Sequence, residues 1–438
     1  MIEAAMDKGA VGARAIARIR RRILPFFFLL YIIAYIDRAN VTFAKLSMSA
    51  DLNFSEQVFG LGAGIFFIGY LVLEIPGALI MERWSARLWI ARILVSWGIV
   101  TVLLGFIHSA KEFYVLRLLL GFAEAGFFPG LIVYLSRWFP WEERARAMGA
   151  FIMAVPVSFA VGAPLSALIL KLNWLGLEGW RWMFILEGLP AVVAGFVTLR
   201  YVTDHPKDAH WMPDDERAWL IDQLDREKAR KASLGKATIW QVFRQRNIII
   251  LSVQLCAVVM ASYGFLLCLP TTIQKLFAVD PSVSNALVTP AFLAAMAVVW
   301  YSGRSSDRTQ ERRFHTAIPL ALAGIFFALS TVPGQSPFVV LLWLYLTGSM
   351  LWGWTPSFWV IPSSTLDASA VAASIGMINC VGNLGGFIGP YAIGILLTRG
   401  YSYSLAAQLM AIAFLGASAI TFAVKMPTPA ASLASRSK

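Results

Sequence analysis

Apolar runs of about twenty residues, separated by short polar breaks, recur along nearly the whole chain, and about 20 residues is the length an α-helix needs to cross a bilayer. The pattern predicts twelve membrane spans, at 23–45, 57–81, 88–107, 113–137, 144–170, 181–201, 247–274, 283–303, 314–333, 337–361, 370–398 and 402–424. The first follows an arginine-rich segment and is too long and too charged at its centre for a cleavable signal peptide, so it is expected to be retained. One long polar segment splits the spans into six and six. The expected organisation is an N-terminal six-helix bundle (1–203), a cytoplasmic linker (204–246) and a C-terminal six-helix bundle (247–438). Within the linker, "PDDERAWLIDQLDREKARK", starting at Pro213, places acidic residues in its first turn and basic ones at its end, which suits a helix dipole.

Composition supports an all-α membrane protein: 58% of the 438 residues are hydrophobic and 14% charged, against roughly a quarter charged in soluble domains. Of the 37 lysines and arginines, 29 fall before the first span, in the linker, near the C-terminus or in alternate turns; six lie on the opposite side. The positive-inside rule then puts both termini in the cytoplasm. The net charge of +12 is a topology signal, and no nucleic-acid partner is expected. Cys256, Cys268 and Cys380 all fall within spans, with no CxxC spacing, so neither a disulfide framework nor a metal site is expected. No HExxH, GxSxG or P-loop pattern occurs, and His108, His205, His210 and His315 lie in or beside loops. An enzyme is not expected, nor a catalytic residue or cofactor, and no appended signalling domain suggests a sensor.

Six charged residues sit at membrane depth, where each costs upward of about 2.5 kcal/mol and marks a functional hypothesis. They are Asp37 and Arg38 in span 1, Glu74 in span 2, Arg117 and Glu124 in span 4, and Glu187 in span 6; the second half has only neutral polar groups at depth, among them Gln254, Asn379 and Asn383. Arg117 and Glu124 are two turns apart on one helix face. Asp37 and Arg38 are adjacent and point about 100° apart, so the aspartate can face span 4 while the arginine faces a central cavity. A buried carboxylate beside arginine can carry a proton, and the Arg38 fork suits a substrate carboxylate. A static network of Asp37, Arg117 and Glu124 is the competing reading. Glu74 and Glu187 are expected to make structural pairs.

Six plus six spans, a long central loop and the matching basic turns "GALIMERWSARLWIAR" and "GRSSDRTQERRFH" resemble the major facilitator superfamily. The resemblance implies two bundles around a midplane cavity open to alternate sides, with Glu82, Arg83 and Arg87, and Asp307, Arg308 and Arg312, as gating residues. Within it, "YIDRANV", "RLLLGFAEAGFFPGLIVYLSRWFPWEERARAMG", "GWRWMFILEGLP" and "INCVGNLGGFIGP" resemble the anion:cation symporter family, including its tartrate- and phthalate-transporting members. That likeness implies proton symport of an organic anion into a bacterium across the inner membrane, by a protein functional as a monomer. It implies Asp37 and Glu124 as proton carriers, Arg117 as the residue that tunes them, and Arg38, Tyr35, Tyr70, Trp359 and Asn379 as substrate contacts, with Asn383 a weaker one.

The chain departs from the sugar-acid members, reading Val155–Pro156 where they carry glutamine and Pro356–Ser357–Phe358 where they carry hydroxyls. A pocket with fewer hydrogen-bonding groups, and Phe358 among its walls, favours a small dicarboxylate or an aromatic or hydroxy acid. A hexonate or hexuronate symporter and an uncoupled facilitator or exchanger are the alternatives.

Overall fold

A computed structural model describes residues 2–140, 143–144, 147, 153–233, 244–362 and 371–425. Within helices the side chains of Glu82 and Arg83 lie outside the described set, so their expected gating role does too. Among the described residues every regular element is a helix, and an isolated bridge between Trp174 and Leu177 is the sole β feature. Among the described residues, nine helical segments are long and apolar enough to span a membrane, with two shorter apolar helices besides. The count of twelve spans is a reading of the sequence.

The chain forms two compact units. The first contains residues 1–44, 68–162 and 169–235. Here α1 (Ile2–Leu52) runs unbroken from the arginine-rich segment through the first predicted span, since helix continuity needs only backbone hydrogen bonds and not apolar side chains. It is followed by α2 (Glu56–Arg83), α3 (Ala86–Leu104), α4 (Ala110–Glu124), α5 (Phe127–Trp138), α6 (Ala154–Ile169) and α7 (Gly179–Tyr201). α3 packs on α7 at Gly98 and Gly188: a Cβ on Gly98 would stand 2.7 Å from the Gly188 carbonyl oxygen. Small residues allow such backbone contact where lipid supplies no hydrophobic drive.

The linker helix α8 (Asp214–Ser233) belongs to this unit. Arg18 Nε lies 2.7 Å from Glu216 Oε2, Arg14 pairs with Asp215 at 3.3 Å, and Arg144 with Glu227 at 2.8 Å. Trp219 fills the space that a Cβ at Gly12 would take. The acidic start expected for this helix is therefore matched to the basic N-terminal stretch of α1. Of the three pairs only Arg14–Asp215 is exposed on both sides, where such a pair contributes about 0–1 kcal/mol.

The second unit contains residues 45–67, 163–168 and 236–438. Its helices are α9 (Arg246–Phe277), α10 (Pro281–Leu287), α11 (Thr289–Thr309), α12 (Arg313–Leu329), α13 (Pro337–Met350), α14 (Thr355–Phe358), α15 (Val371–Thr398) and α16 (Tyr403–Thr421). α9 packs on α15 so closely that a Cβ on Gly385 would fall 2.0 Å from the Cys256 carbonyl oxygen.

Among the described residues three predicted spans are interrupted, one of them, 283–303, at Val288 between α10 and α11. Span 113–137 stops at Glu124 and restarts at Phe127, because Gly126 takes φ +84°, a left-handed conformation open to glycine. Span 337–361 breaks between Met350 and Thr355. Broken helices occur in membranes where protein or a cavity, rather than lipid, meets the freed backbone.

Candidate functional site

The first unit gathers the buried charges at the middle of α1 and the end of α4. Arg38 Nε donates to Glu124 Oε1 at 2.6 Å, and the Arg38 side chain keeps 13% exposure against 1% for Glu124. The guanidinium carbon stands 5.2 Å from the ring centre of Tyr35 and 5.1 Å from that of Tyr70, within the range of a cation–π contact. Tyr31 packs edge-on against Tyr35 at 4.8 Å, and Tyr35 against Phe159 at 6.5 Å.

Asp37 points elsewhere, as the 100° step between neighbours requires. It is 1% exposed, and Asn40, one turn on, donates Nδ2 to its Oδ1 at 3.2 Å. Thr101 of α3, fully buried, faces the same carboxyl, and Arg117 (4% exposed) lies within electrostatic reach of both Asp37 and Glu124. Each carboxyl keeps one oxygen, Asp37 Oδ2 and Glu124 Oε2, to which no described group gives a well-formed hydrogen bond.

The structure thus brings Tyr35, Asp37, Arg38, Tyr70, Arg117 and Glu124 together. It also refines their wiring, since the arginine expected to face an open cavity is tied to the Glu124 carboxylate. Asn40 and Thr101 were not foreseen. The i, i+3 spacing from Asp37 is a signal for Asn40; Thr101, on another helix, had none. Glu74 and Glu187 are buried at 2% and 4% exposure, and Glu74 lies within electrostatic reach of Tyr70.

In the second unit, Phe358 is wholly buried, edge-on between Trp354 (5.1 Å) and Trp359 (5.2 Å). In this conformation it supports Trp359 from behind rather than forming an open wall, because α14 is a single turn that directs its side chain into the core. Trp359, Asn379 and Asn383 are half-buried, the two asparagines on α15. Val155 and Pro156 are buried in the first unit.

Of the residues expected to gate, Asp307 and Arg312 pair at 2.8 Å, with Arg312 also donating to Ser306 Oγ at 2.8 Å. Arg308 is exposed. At the other basic turn, the Arg87 backbone amide donates to Asp204 Oδ1 at 2.8 Å while Ser85 Oγ donates to Oδ2 at 2.6 Å. Asp204 thereby caps α3, and the Arg87 side chain is left exposed. Glu311 plays the corresponding part for α12, accepting the Phe314 amide at 2.9 Å and facing His315 Nδ1 at 3.1 Å. Its partial burial opposes its charge, but the backbone amides and His315 outweigh that and hold its carboxyl below its ordinary range.

No group of three or more His, Cys, Asp or Glu able to hold a metal occurs among the described residues.

Residues 27–390 match the family model of the Major Facilitator Superfamily. The chain is 41% identical over 384 residues to a putative tartrate transporter of Agrobacterium vitis, covering 87% of this chain and 88% of that one. It is 34% identical to a quinolone resistance transporter of Acinetobacter baumannii, covering 89% of each. Among solved structures, a D-xylose–proton symporter superposes with a TM-score of 0.72 at 15% identity, over 93% of this chain and 98% of that one; likeness at this identity speaks to the fold. With the family model spanning most of its length and relatives this similar end to end, the chain is a multi-pass membrane protein that belongs to the Major Facilitator Superfamily.

Proposed function

We propose that this protein imports a small organic anion together with protons, by alternating access, across the bacterial inner membrane, with both termini cytoplasmic and the monomer as the working unit. In this reading the two halves, 1–203 and 247–438, are six-helix bundles joined by the linker 204–246, and the basic turns around Arg87 and Asp307–Arg312 gate the cytoplasmic side. The relative named for tartrate transport favours a short hydroxy-dicarboxylate as the cargo.

The observation that carries the reading is the buried Arg38–Glu124 ion pair beside Asp37. A substrate carboxylate and the Glu124 carboxylate are chemically alike, so they compete for one guanidinium. While Glu124 is charged it occupies Arg38. A proton on Glu124 removes the charge that makes that bond strong, and the guanidinium turns to the incoming anion. The guanidinium keeps its charge, but the ion–ion attraction is gone and the bond weakens from about 1.5–3 kcal/mol toward the neutral range of about 0.5–1.5 kcal/mol. Proton and anion binding then support each other without any contact between them. Asp37, oriented by Asn40 and facing Thr101 and Arg117, is the second proton carrier. Tyr35 and Tyr70 flank Arg38 and would pack against the bound anion, with Trp359, Asn379 and Asn383 as contacts from the second half. Phe358 acts by positioning Trp359. The scarcity of hydroxyl and amide groups at Val155, Pro156 and Phe358 disfavours a sugar acid.

The test is uptake of labelled tartrate into liposomes holding the purified protein. An inward proton gradient should drive accumulation, and internal alkalinity should decay with it. Tartrate movement that is indifferent to the gradient would make the protein an uncoupled exchanger.

A further inference from the structure

A second charged cluster gathers at the C-terminal end of α1, about two turns beyond Arg38. Lys45, with a side chain only 4% exposed, places Nζ 2.9 Å from Glu56 Oε2, at the first residue of α2. Tyr403, the first residue of α16, donates its hydroxyl to Glu56 Oε1 at 2.6 Å. Lys275, in the last turn of α9, stands 3.9 Å from the centre of the Tyr403 ring, and Lys45 stands 5.9 Å from the same ring. One carboxylate therefore serves a tyrosine hydroxyl and a lysine, with a second lysine on the same tyrosine ring, the four residues drawn from four helices. The backbone around it is equally close: Gln57 N donates to Thr398 Oγ1 at 2.9 Å, and Cβ atoms at Gly60 and Gly394 would meet the carbonyl oxygens of Pro390 at 2.4 Å and Glu56 at 2.6 Å.

All these residues belong to the second unit, which takes residues 45–67 from the first half of the chain. The ends of α1 and α2 are thus fastened to α9, α15 and α16. The fastening is ionic where an apolar one would be cheaper, since well-packed hydrophobic residues often match or exceed a buried ion pair in stability. Ions have an advantage only if the contact must part: separated lysine and glutamate are rewetted at little cost, whereas separated apolar faces stay exposed to water. The charge pattern of the sequence assigns this end of the helices to the outside.

We propose that Glu56, held by Lys45 and bonded to Tyr403 beside Lys275, is a latch that closes the outer end of the transport path and opens once in each cycle. Intact, it keeps the outer ends of α1 and α2 on α9 and α16. Broken, it frees them. The proposal rests on the alternating-access reading given above.

Cysteines at Gln57 and Thr398 test it, because the Gln57 backbone amide meets the Thr398 side-chain hydroxyl at 2.9 Å, which brings the two positions near the spacing a disulfide needs. In otherwise unchanged protein the pair should oxidise readily, with controls carrying one new cysteine each to discount Cys256, Cys268 and Cys380. Oxidation should arrest tartrate exchange in liposomes, and reduction should restore it. Adding Glu56→Gln or Tyr403→Phe should slow cross-linking severalfold, as the ends spend more time apart; the phenylalanine keeps the ring for Lys275 and removes only the hydroxyl. Equal cross-linking rates in all three proteins, or an oxidised protein that exchanges as fast as the reduced one, would overturn the latch. Should no protein move tartrate while the rates still differ, the latch stands and the choice of cargo is at fault.

Discussion

Replacing Glu124 by glutamine isolates the competition at the centre of the proposed mechanism. The substitution keeps the shape of the side chain and leaves an amide oxygen able to accept from Arg38 Nε, so the fold should survive, with the guanidinium still flanked by Tyr35 and Tyr70. What it removes is charge. A hydrogen bond to a charged group contributes about 1.5–3 kcal/mol and a neutral one about 0.5–1.5 kcal/mol; the glutamine still accepts from a charged guanidinium, so Arg38 becomes easier to win by at most about 1–1.5 kcal/mol. That corresponds to at most roughly fivefold to tenfold tighter anion binding at neutral pH. In the wild type, by contrast, binding should tighten as the pH falls and Glu124 takes up its proton. The Glu124→Gln protein should therefore bind tartrate at neutral pH about as tightly as the wild type does in mild acid, with a flatter pH profile; any slope that remains reports Asp37. Proton-driven accumulation should disappear while exchange persists. Calorimetry or ligand-induced thermal shift on purified protein reads both effects, since a ligand that binds the native state raises its apparent stability. A variant whose affinity falls, or keeps the full wild-type pH slope, would refute the claim that Glu124 and substrate share Arg38.

Asp37→Asn should likewise abolish accumulation driven by the proton gradient and spare exchange; accumulation at the wild-type rate would remove Asp37 from the coupling. Arg38→Lys should weaken tartrate binding by about 1.5–3 kcal/mol, because lysine keeps the charge and loses the planar fork; unchanged affinity would place the anion elsewhere. In competition for uptake, short dicarboxylates should inhibit better than hexonates, each unpaired sugar hydroxyl costing on the order of 1 kcal/mol; stronger inhibition by hexonates would mean that polar groups beyond those named here line the pocket. Glu311→Ala should cost about 1 kcal/mol, as loss of a helix N-terminal cap does. Because the Glu311 pKa is lowered in the fold, its contribution is present at neutral pH and is lost as the pH falls through that lowered value. Thermal denaturation of variant and wild type at neutral and acidic pH checks both points.

The membrane class, the helical content and the buried charges Asp37, Glu74, Arg117, Glu124 and Glu187 were legible along the chain, because hydropathy and the cost of a charge in lipid act residue by residue; the burial of Lys45, Arg181 and Glu216 was not. The wiring among those charges was not. Asp37 and Arg38 had to diverge by about 100°, yet which of them would meet Glu124, 86 positions away, depends on how α1 and α4 are rotated about their axes, and a periodic pattern leaves that rotation open. The cluster of Lys45 and Glu56 with Lys275 and Tyr403 was equally hidden, since it joins the ends of four helices that are far apart in sequence. The break after Glu124 was similarly hidden: an apolar run reads as one span whether or not Gly126 adopts a left-handed turn.

By itself, then, the sequence determined that this chain lives in a bilayer and which apolar runs carry charged residues, since each of these follows from local composition. Only the tertiary structure decided that Arg38 is held by Glu124, that Asp37 leans on Asn40 and faces Thr101, and that Phe358 backs Trp359. Those pairings join residues on different helices or neighbours along one, and close packing selects among the several arrangements that hydropathy alone allows.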